Sequence, residues 1–226
     1  MPPIRNKSVL VIGGSSGIGY AVADGALAEG ARVRIASSNA SRVQQSVAAL
    51  KQKHPEGDVA GYVCDLTSPD LEQKLDELLA AVQPLDHVVI TAADKLPIKP
   101  LAEISLDAIY KASRAAAARQ APPALHHARL PPLPNWSLIG GFLTGLQGLT
   151  RNLALDLKPL RVNVVSPGPV ATPYLGPPSV ADQFKEHTTL GKIGTPEEVA
   201  EAYLYLMKDT NVTGSMISTN SGALLV

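Results

Sequence analysis

The chain of 226 residues has a single cysteine, Cys64, which excludes an internal disulfide framework and suits a reducing compartment. It has no net charge, so it exerts no general attraction on nucleic acid or anionic lipid, and neither is expected as a partner. It has no apolar run of membrane-spanning length. The apolar run near the N-terminus, in MPPIRNKSVLVIGG, is too short for a signal core and runs straight into glycines. These absences together predict a soluble, cytoplasmic protein without membrane or nucleic-acid partners. The 45% hydrophobic content is enough for the core of one α/β domain over 1–226.

Two further absences are local. From Tyr110 to Ser137 there is no Val, Ile or Thr, and the segment over 112–135 reads as irregular and Ala/Pro-rich. Between Trp136 and Arg151 no side chain titrates near neutral pH, although the stretch carries Gly140, Gly141, Gly145 and Gly148.

Elsewhere, short apolar runs alternate with stretches of helical spacing. Ser8 to Ile12, Arg32 to Ala36, Val59 to Cys64, His87 to Thr91, Arg161 to Val165 and Met216 to Thr219 are expected strands. The first five are apolar enough to be covered on both faces. Helices are expected around 17–29, 40–53 and 70–82, and from Thr195, where Pro196 and Glu198 complete a capping signature. Such alternation implies right-handed βαβ units in a Rossmann-type doubly wound parallel sheet. A fifth strand is weak or missing: Ala124 to Leu130 either fills its place badly or leaves it vacant.

Gly13-Gly14-Ser15-Ser16-Gly17-Ile18-Gly19 follows the first strand and opens the first helix. Glycines there allow a tight turn and close approach of backbone N–H groups to a pyrophosphate, so Gly13, Ser15, Ser16, Gly17, Ile18 and Gly19 are expected to hold a dinucleotide. The second strand ends at Ser37, Ser38 and Asn39, and no acid occurs between Glu29 and Glu56. Without a carboxylate for a ribose 2′-OH, these residues and Arg42 favour NADP, with NADPH preferred over NADH. The same residues also suit the cap of the next helix. Asp65, with Leu66 beside it, stands at a strand end where a carboxylate can meet adenine, or is an ordinary strand-end Asp. Cys64 reads as core.

On these motifs the chain resembles the short-chain dehydrogenase/reductase family over nearly its whole length. GGSSGIG is similar to the family's glycine motif, and Asp65 falls at its adenine-binding Asp. Thr91-Ala92-Ala93, after Ile90, stands at the family's Asn-Asn-Ala-Gly. Pro167-Gly168-Pro169-Val170-Ala171-Thr172 resembles the Pro-Gly segment, which implies that Val170 and Thr172 hold the nicotinamide carboxamide. The endings LGKIGTPEEVA and TGSMISTNSG also resemble the family's, with Asn220-Ser221-Gly222 for Asp-Gly-Gly.

The catalytic pair departs. The family uses Tyr-x-x-x-Lys to deliver a proton, and the register from Gly148-Leu149-Thr150-Arg151 puts Ile139 and Leu143 at those positions. A divergent branch with a Pro-x-Pro-x-Trp turn resembles this chain more closely at Pro132-Leu133-Pro134-Asn135-Trp136. Some members of that branch, in fungal alkaloid pathways, reduce iminium-type intermediates with NADPH and guide a cycloaddition, with an Asp in the turn where this chain has Leu133. The resemblance implies an NADP(H)-dependent oxidoreductase of a small apolar metabolite, with Trp136, Ile139, Leu143 and Tyr174 lining the substrate pocket. The alternative is a non-redox cyclase, an isomerase or an inactive homologue on the same fold. The catalytic residue is unassigned. Asp94 is the best-placed acid, although a strand-end turn or helix cap is the commoner role for such a residue. Tyr110 and His126-His127 are weaker, no metal set is present, and Asp156 reads as a solvated helix face. By analogy with the family, a homodimer or homotetramer is expected.

Overall fold

The computed structural model describes residues 3–92, 101–103, 105, 124–126 and 137–225. Seven parallel strands form one sheet: β1 (Ser8–Ile12), β2 (Arg32–Ser37), β3 (Val59–Val63), β4 (His87–Ile90), β5 (Ala124–His126), β6 (Asn163–Pro167) and β7 (Met216–Thr219). Their order is β3-β2-β1-β4-β5-β6-β7, which reverses direction beside β1. In such sheets the crevice at the strands' C-terminal ends, at this switch point, is where ligands bind. Among the described residues the α-helices are α1 (Gly17–Ala28), α2 (Ala40–Lys53), α3 (Leu71–Ala81), α4 (Ser137–Asp156), α5 (Pro178–Gln183) and α6 (Pro196–Lys208).

β1 shows how the apolar runs divide between two layers. Val9 and Val11 join one buried cluster with Ala23, Ala26, Leu50 and Tyr203 from α1, α2 and α6. Leu10 and Ile12 point the other way, into a cluster with Leu78 of α3 and with Val82. Burying each such aliphatic side chain contributes about 1.5–3 kcal/mol, so a strand apolar at every position is stabilised from both sides. Leu146 of α4 meets Val164 of β6 in a third cluster, on the face opposite Val165. α6 starts as expected: the Thr195 hydroxyl accepts from the Glu198 N–H, and the Glu198 carboxylate accepts from the Thr195 N–H, with Pro196 in the first turn.

Two expectations shift, and of the two alternatives for the fifth strand the weak one holds. β3 is an edge strand whose residues alternate between buried and open, and Val63 is 60% exposed, so it is not covered on both faces. β6 begins at Asn163 rather than Arg161, because the Arg161 guanidinium turns away to donate to the carbonyls of Leu206 (2.9 Å) and Val212 (3.1 Å) beside the end of α6. The fifth strand is present, but it is only three residues long. β5 pairs Ala124 with Val89 and Leu125 with Ile90, and on its other side Ala124 with Asn163. It therefore stops short of His87 and Val88. A cavity of about 20 Å³ lies there, lined among others by His87, Arg161, Asn163 and Tyr203. That is room for a single water.

Candidate dinucleotide site

The glycine turn sits at the C-terminal end of β1, over the switch point. Gly13 has φ +94 and Gly17 φ +53, left-handed values that a side chain disfavours. Space is as restrictive as conformation. A Cβ on Gly13 would overlap the Ala92 N atom, and one on Gly19 would overlap Gly13 O and Thr91 Oγ1. A Cβ on Gly14 would lie 2.7 Å from Ile35 Cγ2. The turn is thus pressed between α1, β2 and the end of β4, and Gly13 N–H donates to Ala36 O at 2.7 Å. Ser15 and Ile18 are buried. The buried Ser46 of α2 donates to Ser15 O at 3.0 Å and pins the loop from behind. The N-cap of α1, Ser16, makes no side-chain cap, and no acid lies in the first turn. A helix start left uncapped beneath a backbone cradle is suited to a phosphate group by both its N–H groups and its dipole. The residues fit a dinucleotide pyrophosphate.

At the end of β2, Asn39 caps α2: its side chain accepts from the Arg42 N–H at 2.8 Å. The capping reading of Ser37 to Ser41 therefore holds for Asn39. Ser38 and Arg42 are exposed beside it, on the rim where the ribose of a bound dinucleotide would lie. Asp65 Oδ1 accepts from both the backbone N–H and the hydroxyl of Thr67, at 2.9 and 2.8 Å. The Thr67 N–H, then its hydroxyl, hold the Asp65 carboxyl below its ordinary range. Leu66 packs against the second core cluster. Cys64 is buried core, and burial, then the Asp65 charge, push its thiol pKa up.

The Pro-Gly segment leaves β6 at Pro167. Val170 is buried, and its segment is clamped by Gly194: Ala171 N–H donates to Gly194 O, and Gly194 N–H to Pro169 O, both at 2.9 Å. The Thr172 side chain closes on the glycine turn, since a Cβ on Gly17 would be 3.1 Å from Thr172 Cγ2. The structure thus brings together the glycine turn, Thr91, Ala92, Gly168, Val170 and Thr172. Sequence reasoning missed Ser46, Gly194 and the packing partners of Gly13 and Gly19. Only their spatial neighbours reveal them, although a small polar residue on the inner face of α2 is a weak cue for Ser46.

The substrate side is described in part. Ile139 lies in the first turn of α4. Leu143 is half-buried and packs against the Leu146–Val164 cluster. Tyr174 is 53% exposed, beyond the Pro-Gly segment. Asp156 is exposed, as expected. Ala93, Asp94, Tyr110, His127 and Trp136 lie outside the described residues, as does the segment 112–135 apart from β5. Among the described residues no cluster of His, Cys, Asp or Glu can hold a metal, and no helix is long and apolar enough to cross a membrane.

A doubly wound sheet with a glycine turn at its switch point defines a Rossmann-type nucleotide-binding protein. More narrowly, the chain belongs to the short-chain dehydrogenase/reductase family: the model of the SDR-like Rossmann domain matches residues 3–123 and 125–226. The chain is similar to short-chain dehydrogenase/reductase malC of Malbranchea aurantiaca, 41% identical across 98% of this chain and 96% of the relative. Similarity to short-chain dehydrogenase/reductase ATR9 of Stachybotrys chlorohalonatus is 38% across the whole of both. Among solved structures, the MalC reductase/Diels-Alderase from Malbranchea aurantiaca superposes with a TM-score of 0.86 at 39% identity, covering 99% of this chain and 98% of that one. The alignment to malC runs over 257 positions, more than this chain has residues, so the relative carries residues with no counterpart here.

Proposed function

We propose that the protein is an NADPH-dependent reductase of a small, largely apolar substrate whose reacting bond is a cationic C=N. The observation that carries this reading is the pairing of a dinucleotide cradle with a stretch of α4, up to Arg151, that carries no group titrating near neutral pH. The cradle, Gly13 to Gly19 closed by Thr172, is built to hold a pyrophosphate. On α4, Ile139 and Leu143 occupy the positions of the family's Tyr and Lys. A bound nicotinamide dinucleotide supplies hydride. Reduction of a carbonyl develops negative charge on oxygen and calls for a proton donor, whereas reduction of an iminium ends at a neutral amine and calls for none. The chain's own contribution is to bind, orient and exclude water. The uncapped start of α1 holds phosphate, Val170 and Thr172 orient the nicotinamide end, and apolar side chains from α4 keep the pocket dry. At the ribose, Ser37, Ser38 and Arg42 offer donors and no carboxylate, which supports a 2′-phosphate.

We further propose self-association through α4, a helix that carries its four glycines outside the packed interior. Among the described residues, a Cβ on Gly140, Gly141, Gly145 or Gly148 would meet nothing within 4 Å, which leaves room there for a neighbouring helix.

A second reading has one specific support. The MalC relative is named both a reductase and a Diels-Alderase, so the same pocket can instead template a cycloaddition here. A single-turnover assay separates the readings. The first expects oxidation of NADPH by a cyclic iminium and not by the matching ketone. Saturable NADPH binding without oxidation by either substrate refutes the reductase and favours the template.

A further inference from the structure

The residues after β7 form a strut between two segments of the site. The Asn220 side chain accepts from the Gly222 N–H at 3.0 Å, and Ala223 N–H donates to Asn220 O at 3.0 Å. Together they close a tight turn in which Ser221 (φ 53) and Gly222 (φ 76) are both left-handed. A non-glycine residue such as Ser221 adopts that conformation only when its surroundings hold it there. One side of the turn presses on the Pro-Gly segment. Gly168 N–H donates to Thr219 O at 3.3 Å, and a Cβ on Gly168 would lie 2.9 Å from Asn220 Cα and Cβ. The other side grips the stretch that follows α5. Leu190 N–H and the Thr189 hydroxyl both donate to Ser221 O, at 3.2 and 3.3 Å, and a Cβ on Gly222 would overlap Thr189 Oγ1. That stretch runs on to Gly194, which holds Pro169 and Ala171 from the far side.

We infer that Asn220 is a positioning residue for the nicotinamide end of the site. Its side chain sets the turn, the turn fixes Gly168 against Thr189, and that fixes where Val170 and Thr172 stand. The inference rests on the dinucleotide reading above. It also predicts where the effect stops. The adenosine end lies at β2 and β3, and β1, β4, β5 and β6 separate β2 from β7. Loss of the Asn220 amide therefore weakens the grip on nicotinamide and leaves the adenosine end untouched.

Binding of whole cofactor and of its adenosine fragment tests this without any substrate. NADPH is paired with 2′,5′-ADP and NADH with ADP, each titrated by calorimetry against the wild type, Asn220→Ala and Asn220→Asp. In Asn220→Ala the loss of one part-buried hydrogen bond is expected to raise the Kd of the whole dinucleotide about tenfold and that of the fragment less than about twofold. Asn220→Asp, which keeps the accepting oxygen, restores the wild-type ratio. If Asn220→Ala loses fragment binding as well, the variant is misfolded. Thr189→Val, which removes only the hydroxyl to Ser221 O, then carries the same comparison and is expected to shift the ratio in the same direction. Equal weakening of both ligands in Thr189→Val, or an unchanged ratio in a folded Asn220→Ala, overturns the positioning role alone. A wild type that binds the fragments but neither dinucleotide, or binds nothing, overturns the dinucleotide reading and the strut with it.

Discussion

Replacing Gly19 with alanine sets two known effects against each other. Gly19 is in the first turn of α1, where alanine improves helix propensity by at most about 1 kcal/mol. Against that, the new Cβ would overlap Gly13 O and Thr91 Oγ1 and lie 2.8 Å from Gly13 C. Non-bonded carbons rest at about 3.5–4.0 Å, so something must retreat by on the order of 1 Å. Thr91 can rotate, giving up only a long 3.4 Å hydrogen bond to Ile12 O. Gly13 cannot yield as easily. It is held by its 2.7 Å bond to Ala36 O, and the room on its own Cβ side is taken by Ala92 N. Overpacking of this kind costs about 1–3 kcal/mol, so the net loss is about 0–3 kcal/mol, or a fall in Tm of no more than roughly 12 °C for a chain of this size. The larger effect is on binding. A turn displaced by about 1 Å no longer aims its N–H groups at a pyrophosphate, and NADPH affinity is expected to fall at least about tenfold, which is about 1.4 kcal/mol. Fluorescence titration of NADPH and a thermal melt read the two quantities from one sample. A Gly19→Ala protein that melts higher and binds NADPH as tightly as wild type would refute the close approach of α1 to the turn.

The remaining predictions probe other parts of the molecule. Arg42→Ala is expected to weaken NADPH about tenfold or more, the usual cost of a lost charged hydrogen bond, and NADH less than about twofold; equal loss for both in a direct titration contradicts a 2′-phosphate contact. Gly148→Ala on α4 meets no neighbour among the described residues, so it is expected to stabilise the monomer by up to about 1 kcal/mol while loosening any oligomer packed on that face, and sedimentation together with melting checks both. If association is unchanged, α4 is not the contact. Burial, then the nearby Arg161 charge, depress the His87 pKa below its ordinary 6.5. The unfolded chain therefore takes up that proton first, and stability falls as the pH drops below 6.5 and levels off once the folded value is passed. His87→Phe should flatten this step in pH-dependent denaturant melts. Asp24 and Asp58 produce a separate loss below 3.8. Burial alone would raise Asp24, but hydrogen bonds from Lys53 and His54 outweigh it; the Arg34 hydrogen bond, then its charge, lower Asp58 against a smaller burial effect. Both carboxyls thus sit below 3.8 in the fold, and the stability they contribute disappears as the pH falls through those values.

Much of the fold was legible because its physics is local. A strand covered on both faces must be apolar at every position, and β1 and β4 announce themselves that way. Asn39 and Thr195 satisfy N–H groups three residues on, so the starts of α2 and α6 can be read from a few letters. The misses share a different cause. Arg161 reads as strand because its neighbours are β-branched, but a distant helix end offers its guanidinium carbonyl partners, and no local pattern encodes that. β5 was doubtful because its segment lacks β-branched residues and is broken by proline. The family match is interrupted there too, at residue 124. In the site, the glycines were legible and their reasons were not. Gly19 must be small because of Thr91, and Gly168 because of Asn220, pairs that are far apart in sequence.

The distribution of crowding bears on whether the protein still uses its site. The glycines of the dinucleotide turn are packed to the limit: Gly13, Gly14 and Gly19 have no room for a methyl group, and each is met by an atom from another element. Such crowding offers little stability in return, because glycine in a helix or turn costs conformational entropy and contributes no side chain to the core. Its use is to bring backbone close to a ligand. The four glycines of α4 carry the same entropic cost, and among the described residues nothing lies near enough to offset it. A scaffold drifting towards inactivity gains by replacing unsupported glycines, most readily on an exposed helix, where alanine alone would stabilise it. The α4 glycines, which lie outside the packed interior, are where such a replacement would cost least among the described residues.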